Sequence, residues 1–105
     1  MEIKELEQQA ERASGLLKAM SNQSRLMILC QLHNGERSVG ELERIIGLSQ
    51  SALSQHLARL RRDQLVKTRR EAQTIYYSLH GDEAIRVIKT LYELYCIDTE
   101  ESDVA

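Results

Sequence analysis

Two thiols and one dense group of basic side chains carry whatever chemistry this 105-residue chain has beyond packing. Cys30 and Cys96 stand 66 positions apart, neither a disulfide framework nor a C-x-x-C pair, which makes them candidates for reduced, reactive thiols. The bland reading of Cys30 is a small buried hydrophobe on a helix face, the usual fate of a free cysteine. Arg59, Arg61, Arg62, Lys67, Arg69 and Arg70 place six of the 14 basic residues within twelve positions, opposed there only by Asp63. The whole chain has a formal charge of −2 and a pI near 5.9, so binding to a polyanion must come from that cluster and not from bulk charge. The competing reading is a solvated helix face and strand edge. The three histidines are scattered, and no paired catalytic carboxylates, Gly-rich phosphate loop or nucleophile motif occurs, so an enzyme is the weakest class.

One domain's worth of chain must position these groups. Hydrophobic residues at 42% and charged residues at 29% exclude a disordered chain. The absence of Pro, Trp and Phe and the presence of only five Gly point to a mainly helical protein with an aliphatic core. The longest uncharged apolar run, Leu26 to Cys30, is far short of the ~20 residues of a membrane span. Early acids and no apolar stretch at the N-terminus lead us to expect no secretory signal and a cytoplasmic location.

Apolar spacing predicts a first helix near 3–20, and a second, capped by Ser21 or Asn22, running to about His33. Ser38-Val39-Gly40-Glu41 is a capping box that opens a short third helix ending at Gly47. Ser49 can cap a fourth helix to Arg62-Asp63, with Leu53, Leu57 and Leu60 on its inner side. The β-branched and aromatic runs at 65–69 and 74–79 predict a hairpin. Its connection, Arg70-Glu71-Ala72-Gln73, lacks Gly, so a longer, mobile loop is expected in place of a tight turn. A fifth helix starts at Asp82 with a broad apolar arc. The expected organisation is a domain over 1–97 and an acidic, frayed tail over 98–105.

A capped short helix, a tight turn at Gly47-Leu48 and a second capped helix form a helix-turn-helix, and the hairpin supplies a wing. With the leucines inward, the fourth helix presents Gln50, Ser51, Ser54, Gln55 and Ala58, small or amide side chains without acids, which suits the major groove of DNA, and Ser49 at the helix start joins them as a DNA-binding candidate. The helix would read bases while the basic edge (Arg59, Arg61, Arg62, Lys67, Arg69, Arg70) grips the backbone. The first and last helices offer more apolar surface than this small core can cover. A second copy is the expected partner, and it would set two reading helices one DNA turn, ~34 Å, apart on a palindromic site.

Three separated segments carry a resemblance to a known family: Leu16-Leu17-Lys18-Ala19-Met20-Ser21-Asn22 through Arg25-Leu26, Ser49-Gln50-Ser51-Ala52-Leu53-Ser54-Gln55-His56-Leu57, and Gln73-Thr74-Ile75-Tyr76-Tyr77-Ser78-Leu79. In order and over nearly the whole chain, they resemble the ArsR/SmtB family of winged-helix repressors. That resemblance implies five helices with a two-stranded wing, a homodimer joined by the first and last helices, an inverted-repeat operator and release by an inducer. Most members sense metals, but here the usual cysteine positions fall near Ser38 and Gly40, and the Asp and His pattern of the last helix is missing. No metal and no cofactor is therefore expected. One Cys in the second helix and one at the end of the fifth resemble the thiol- and persulfide-sensing branch of BigR-, SqrR- and HlyU-like regulators. By that resemblance Cys30 and Cys96 are the redox sensor, reactive sulfur species are the inducer, and a disulfide or polysulfide bridge is the signal. The alternatives are a constitutive DNA-binding activator or anti-silencer of virulence-type genes without a thiol switch, a metal-sensing repressor (Cys30, His33, Cys96 and Glu93 being the conceivable set), and a protein-interaction module that does not use DNA.

Overall fold

Side chains that take up the free amides at helix starts set most of the element boundaries. The computed structural model describes residues 1–96; the expected frayed tail at 98–105 lies outside them. Helix α1 (Ile3–Met20) gives way at once to α2 (Gln23–His33), because the Asn22 side chain accepts from the Arg25 amide at 3.1 Å. A two-residue strand, β1 (Arg37–Ser38), leads into α3 (Val39–Ile46). The capping box is complete: the Glu41 amide donates to Ser38 Oγ at 3.2 Å, and the Ser38 amide donates to Glu41 Oε1 at 3.0 Å. These bonds from Ser38, the backbone one foremost, hold the Glu41 carboxyl below the usual carboxylate range.

Helix α3 stops at Gly47, whose φ of 78° is left-handed and would cost a residue with a β-carbon ~1–2 kcal/mol. Ser49 then caps α4 (Gln50–Arg62) by accepting from the Ala52 amide at 3.1 Å. Strands β2 (Val66–Glu71) and β3 (Thr74–Leu79) and helix α5 (Asp82–Tyr95) complete the described chain. Leu53, Leu57 and Leu60 of α4 pack with Ile28, Leu29 and Leu32 of α2, Leu42 of α3 and Ile88 of α5 in one core. Each such side chain contributes roughly 1.5–3 kcal/mol by leaving water.

Five helices and a wing match the expected winged-helix architecture, with two differences in the wing. The sheet has three strands in the order β1-β3-β2, since Arg37 and Ser38 pair with Tyr77 and Tyr76. The connection is also not a long loop. Pairing continues to Glu71 opposite Thr74, which leaves Ala72 and Gln73 as a two-residue turn with Ala72 at φ 55°. Six paired positions between β2 and β3 outweigh the ~1–2 kcal/mol that a left-handed alanine costs.

Helix α1 is covered by the rest of the chain only near its C-terminus, at Leu16, Ala19 and Met20. Ile3, Leu6 and Leu17 on α1 and Ile85 and Leu94 on α5 stay exposed, Ile3 at 67% and Leu94 at 60%. The radius of gyration is 15.4 Å, against about 13 Å for a compact chain of this length. The apolar stripe of α1 is therefore only partly satisfied within one chain.

Candidate functional site

The turn between α3 and α4 orients the second helix. With Leu53, Leu57 and Leu60 buried, Gln50, Ser51, Ser54, Gln55 and Ala58 all fall on the exposed side of α4. Ser49 is exposed as well, but its hydroxyl oxygen is engaged as the cap. Amides and hydroxyls without acids thus line the outward face, a set able to bond base edges.

The six basic residues divide into two groups. Arg61, Lys67 and Arg70 are exposed, and among the described residues they have no ion-pair partner. Arg62 is exposed with its Nε 3.8 Å from Asp63, a loose pair. Arg59 is half-buried: its Nε is buried without a hydrogen-bond partner, 3.6 Å from Asp63 Oδ2. Arg69 is held in place. Its Nη2 and Nε donate to Glu36 at 2.7 to 3.0 Å, its Nη1 donates to Glu71 at 2.8 Å, and its guanidinium lies 4.5 Å over the Tyr76 ring. The hydrogen bonds to Glu36, then Glu71, raise its already high pKa further, so Arg69 is permanently charged and already paired. The register explains the contact: Arg69 is opposite Tyr76, Tyr76 is opposite Ser38, and Glu36 precedes Ser38 by the two residues that return a strand to the same face.

Sequence reasoning did not foresee Glu36 in this role or Arg25 in its own. Arg25 is 7% exposed, and its Nε donates to the Ala19 carbonyl at 2.6 Å, tying the end of α1 to α2. Burial and then the nearby Arg59 charge lower its pKa. An arginine three residues after a cap inside an apolar run was the available signal.

Cys30 and Cys96, both free thiols and both half-buried, line one cavity of about 320 Å³ with Leu26, Met27, Ile45 and Ile46. Helix α2 supplies Cys30, the C-cap of α5 supplies Cys96, and α3 supplies the isoleucine wall. Burial, then the charge of Cys96, pushes the Cys30 thiol above its ordinary value. His33 packs against Tyr92 with ring centroids 4.8 Å apart, so it braces α2 on α5. Among the described residues no three His, Cys, Asp or Glu side chains gather as a metal site, and no helix is long and apolar enough to cross a membrane.

Residues 22–68 match the family described as "Bacterial regulatory protein, arsR family". The transcriptional activator HlyU of Vibrio cholerae serotype O1 is 55% identical over 96 residues, which cover 91% of this chain and 89% of that protein. The structure of reduced HlyU from V. cholerae N16961 aligns with a TM-score of 0.87 over 90% of this chain and 99% of its own. That of the transcriptional repressor BigR from Xylella fastidiosa, 42% identical, aligns with a TM-score of 0.81 over 91% and 98%. Identity and coverage of this order, on a helix-turn-helix whose outward face is free for bases, make the chain a member of the arsR family of bacterial regulatory proteins: a winged-helix transcriptional regulator that binds DNA, and not an enzyme.

Proposed function

We propose that this regulator is a cytoplasmic homodimer joined through α1 and α5 that represses transcription from an inverted-repeat operator. It loses operator affinity when reactive sulfur species join Cys30 to Cys96. The observation that carries the switch is the shared cavity: two thiols 66 positions apart line one small space. Dimer formation is supported by the exposed apolar residues of α1 and α5. Base reading is assigned to Ser49, Gln50, Ser51, Ser54 and Gln55, and the phosphate grip to Arg61, Arg62, Lys67 and Arg70. Arg59 would reach phosphate only by leaving Asp63, and Arg69 only by leaving Glu36 and Glu71.

The chemistry balances without a cofactor. One persulfide and two protein thiols give a disulfide, one thiol of the donor and hydrogen sulfide. Two persulfides give a trisulfide, two donor thiols and hydrogen sulfide. In each case the thiols are oxidised by two electrons and sulfane sulfur is reduced. A direct disulfide needs Cα atoms within ~7 Å, and each inserted sulfur lengthens the bridge by ~2 Å. A bridge between α2, which supports the reading unit, and α5, which joins the subunits, changes the spacing of the two reading helices. A coupling of about 1.4 to 3 kcal/mol corresponds to a 10- to 100-fold change in affinity.

Fluorescence anisotropy on the chain's own upstream DNA tests this, comparing reduced protein with persulfide-treated protein, with and without Cys96→Ser. The expected result is weakened binding on treatment, restored by dithiothreitol and absent in the variant. The activator role in the name of the V. cholerae relative favours a second reading, a constitutive DNA-binding protein that displaces another regulator. Unchanged affinity on treatment would favour it.

A further inference from the structure

We infer that the thiol cavity selects neutral, apolar sulfane-sulfur donors over charged donors of similar length. This deepens the thiol-switch reading and rests on it. Four aliphatic side chains, Leu26, Met27, Ile45 and Ile46, make most of the wall, and Gln23 and Gln31 are its polar members besides the thiols. Among the described residues no acid, lysine or arginine lines it. At about 320 Å³ it is at the small end of the ~300–1,000 Å³ of small-ligand sites.

A donor must bring its sulfur chain to the thiols, and its substituents come with it. An ethyl group gains by leaving water for this wall. A carboxylate or ammonium at the same position loses hydration and finds no counter-charge among the described lining residues. The same burial that places Cys30 against this wall pushes its thiol upward, in keeping with an apolar surround. The uncharged wall thereby rejects both signs of charge, which a steering field from surface residues would not do.

Three trisulfides separate these cases: diethyl trisulfide, the dianionic bis(2-carboxyethyl) trisulfide and the dicationic bis(2-aminoethyl) trisulfide. In each, one protein thiol loses its proton and attacks a terminal sulfur, forming a mixed disulfide and releasing the organic persulfide. The second thiol displaces the remaining organic thiol and leaves the Cys30–Cys96 disulfide. Two protein thiols and one trisulfide thus become one disulfide, one persulfide and one thiol.

Rates measured by intact mass on the reduced full chain, each divided by the same donor's rate with a small free thiol, give the selectivity. Diethyl trisulfide is expected to lead both ions by tenfold or more. Ile45→Lys, at a position 47% exposed and so able to carry a charge without loss of the core, is expected to raise the dianion's relative rate threefold or more. Met27→Lys, on a different helix, repeats that test. Equal normalised rates, or a ranking that follows the sign of charge with one ion fastest, would overturn the inference. Operator binding by each product is read separately: the expected ranking with unchanged DNA affinity would uphold the selectivity and reject the switch, and the reverse pair would do the opposite.

Discussion

The DNA-reading surface and the thiol cavity are made of opposite materials. Helix α4 and strand β2 display amides, hydroxyls and guanidiniums to water, whereas the cavity between α2, α3 and the end of α5 is walled by aliphatic side chains around two sulfur atoms. The first region is suited to bind by setting its cations on phosphates and releasing the counterions condensed there. The second keeps charge out, so its chemistry depends on what can enter. On the proposed reading, one chain carries a DNA site governed by ionic strength beside a thiol site that depends on it far less.

Salt gives the largest expected effect and separates the two directly. In the proposed dimer Arg61, Arg62, Lys67 and Arg70 would supply eight phosphate contacts. Between 50 and 200 mM salt, operator affinity should fall on the order of 10³- to 10⁵-fold, as for six to ten phosphate contacts. Alkylation of the thiols by neutral iodoacetamide should change less than about twofold over the same range. A thiol rate that tracks salt as steeply as DNA binding would break the comparison.

Next come the thiols themselves. Cys30→Ser and Cys96→Ser, assayed by anisotropy before and after persulfide, should each abolish a 10- to 100-fold response and leave the salt slope unchanged. Either variant keeping the response would show that the other thiol acts alone.

Smaller effects sharpen the DNA side. Glu36→Gln removes the carboxylate that holds Arg69 at 2.7 Å. Glu71 still accepts from Nη1; if the loosened guanidinium reaches phosphate, the slope of log affinity against log salt steepens by about 0.9 per subunit. An unchanged slope with weaker binding would instead identify Arg69 as a brace for the wing. The smallest effect is at alkaline pH. The folded Cys30 thiol titrates above its unfolded value, so its contribution to stability is complete below that value, ~8.5, and is lost as pH rises through the folded one. Urea midpoints should fall between pH 8 and 10, and Cys30→Ser should flatten that decline.

The legible parts of this molecule were the local ones. Asn22, Ser38 with Glu41, and Ser49 act within three residues along the chain, so type and spacing alone located the starts of α2, α3 and α4. Strand β1 is two residues long and exists only because β3 returns beside it, a pairing without a sequence signature. The tight turn at Ala72 was hidden for a related reason: its strain is offset by a ladder that local propensity cannot weigh. The basic cluster was readable as a cluster, but its division was not, since Glu36 reaches Arg69 from 33 positions away. The cavity wall was unreadable too. Met27 and Ile45 are ordinary helix positions until folding sets them beside the thiols.

Whether those thiols form one site is the claim on which the switch rests, and peptide mapping tests it without DNA. Persulfide-treated protein, blocked with iodoacetamide and digested without reductant, should yield a Cys30 peptide joined to a Cys96 peptide through two or three sulfur atoms, within a single chain. Separate persulfide adducts on each cysteine, or links found only between chains, would contradict the account.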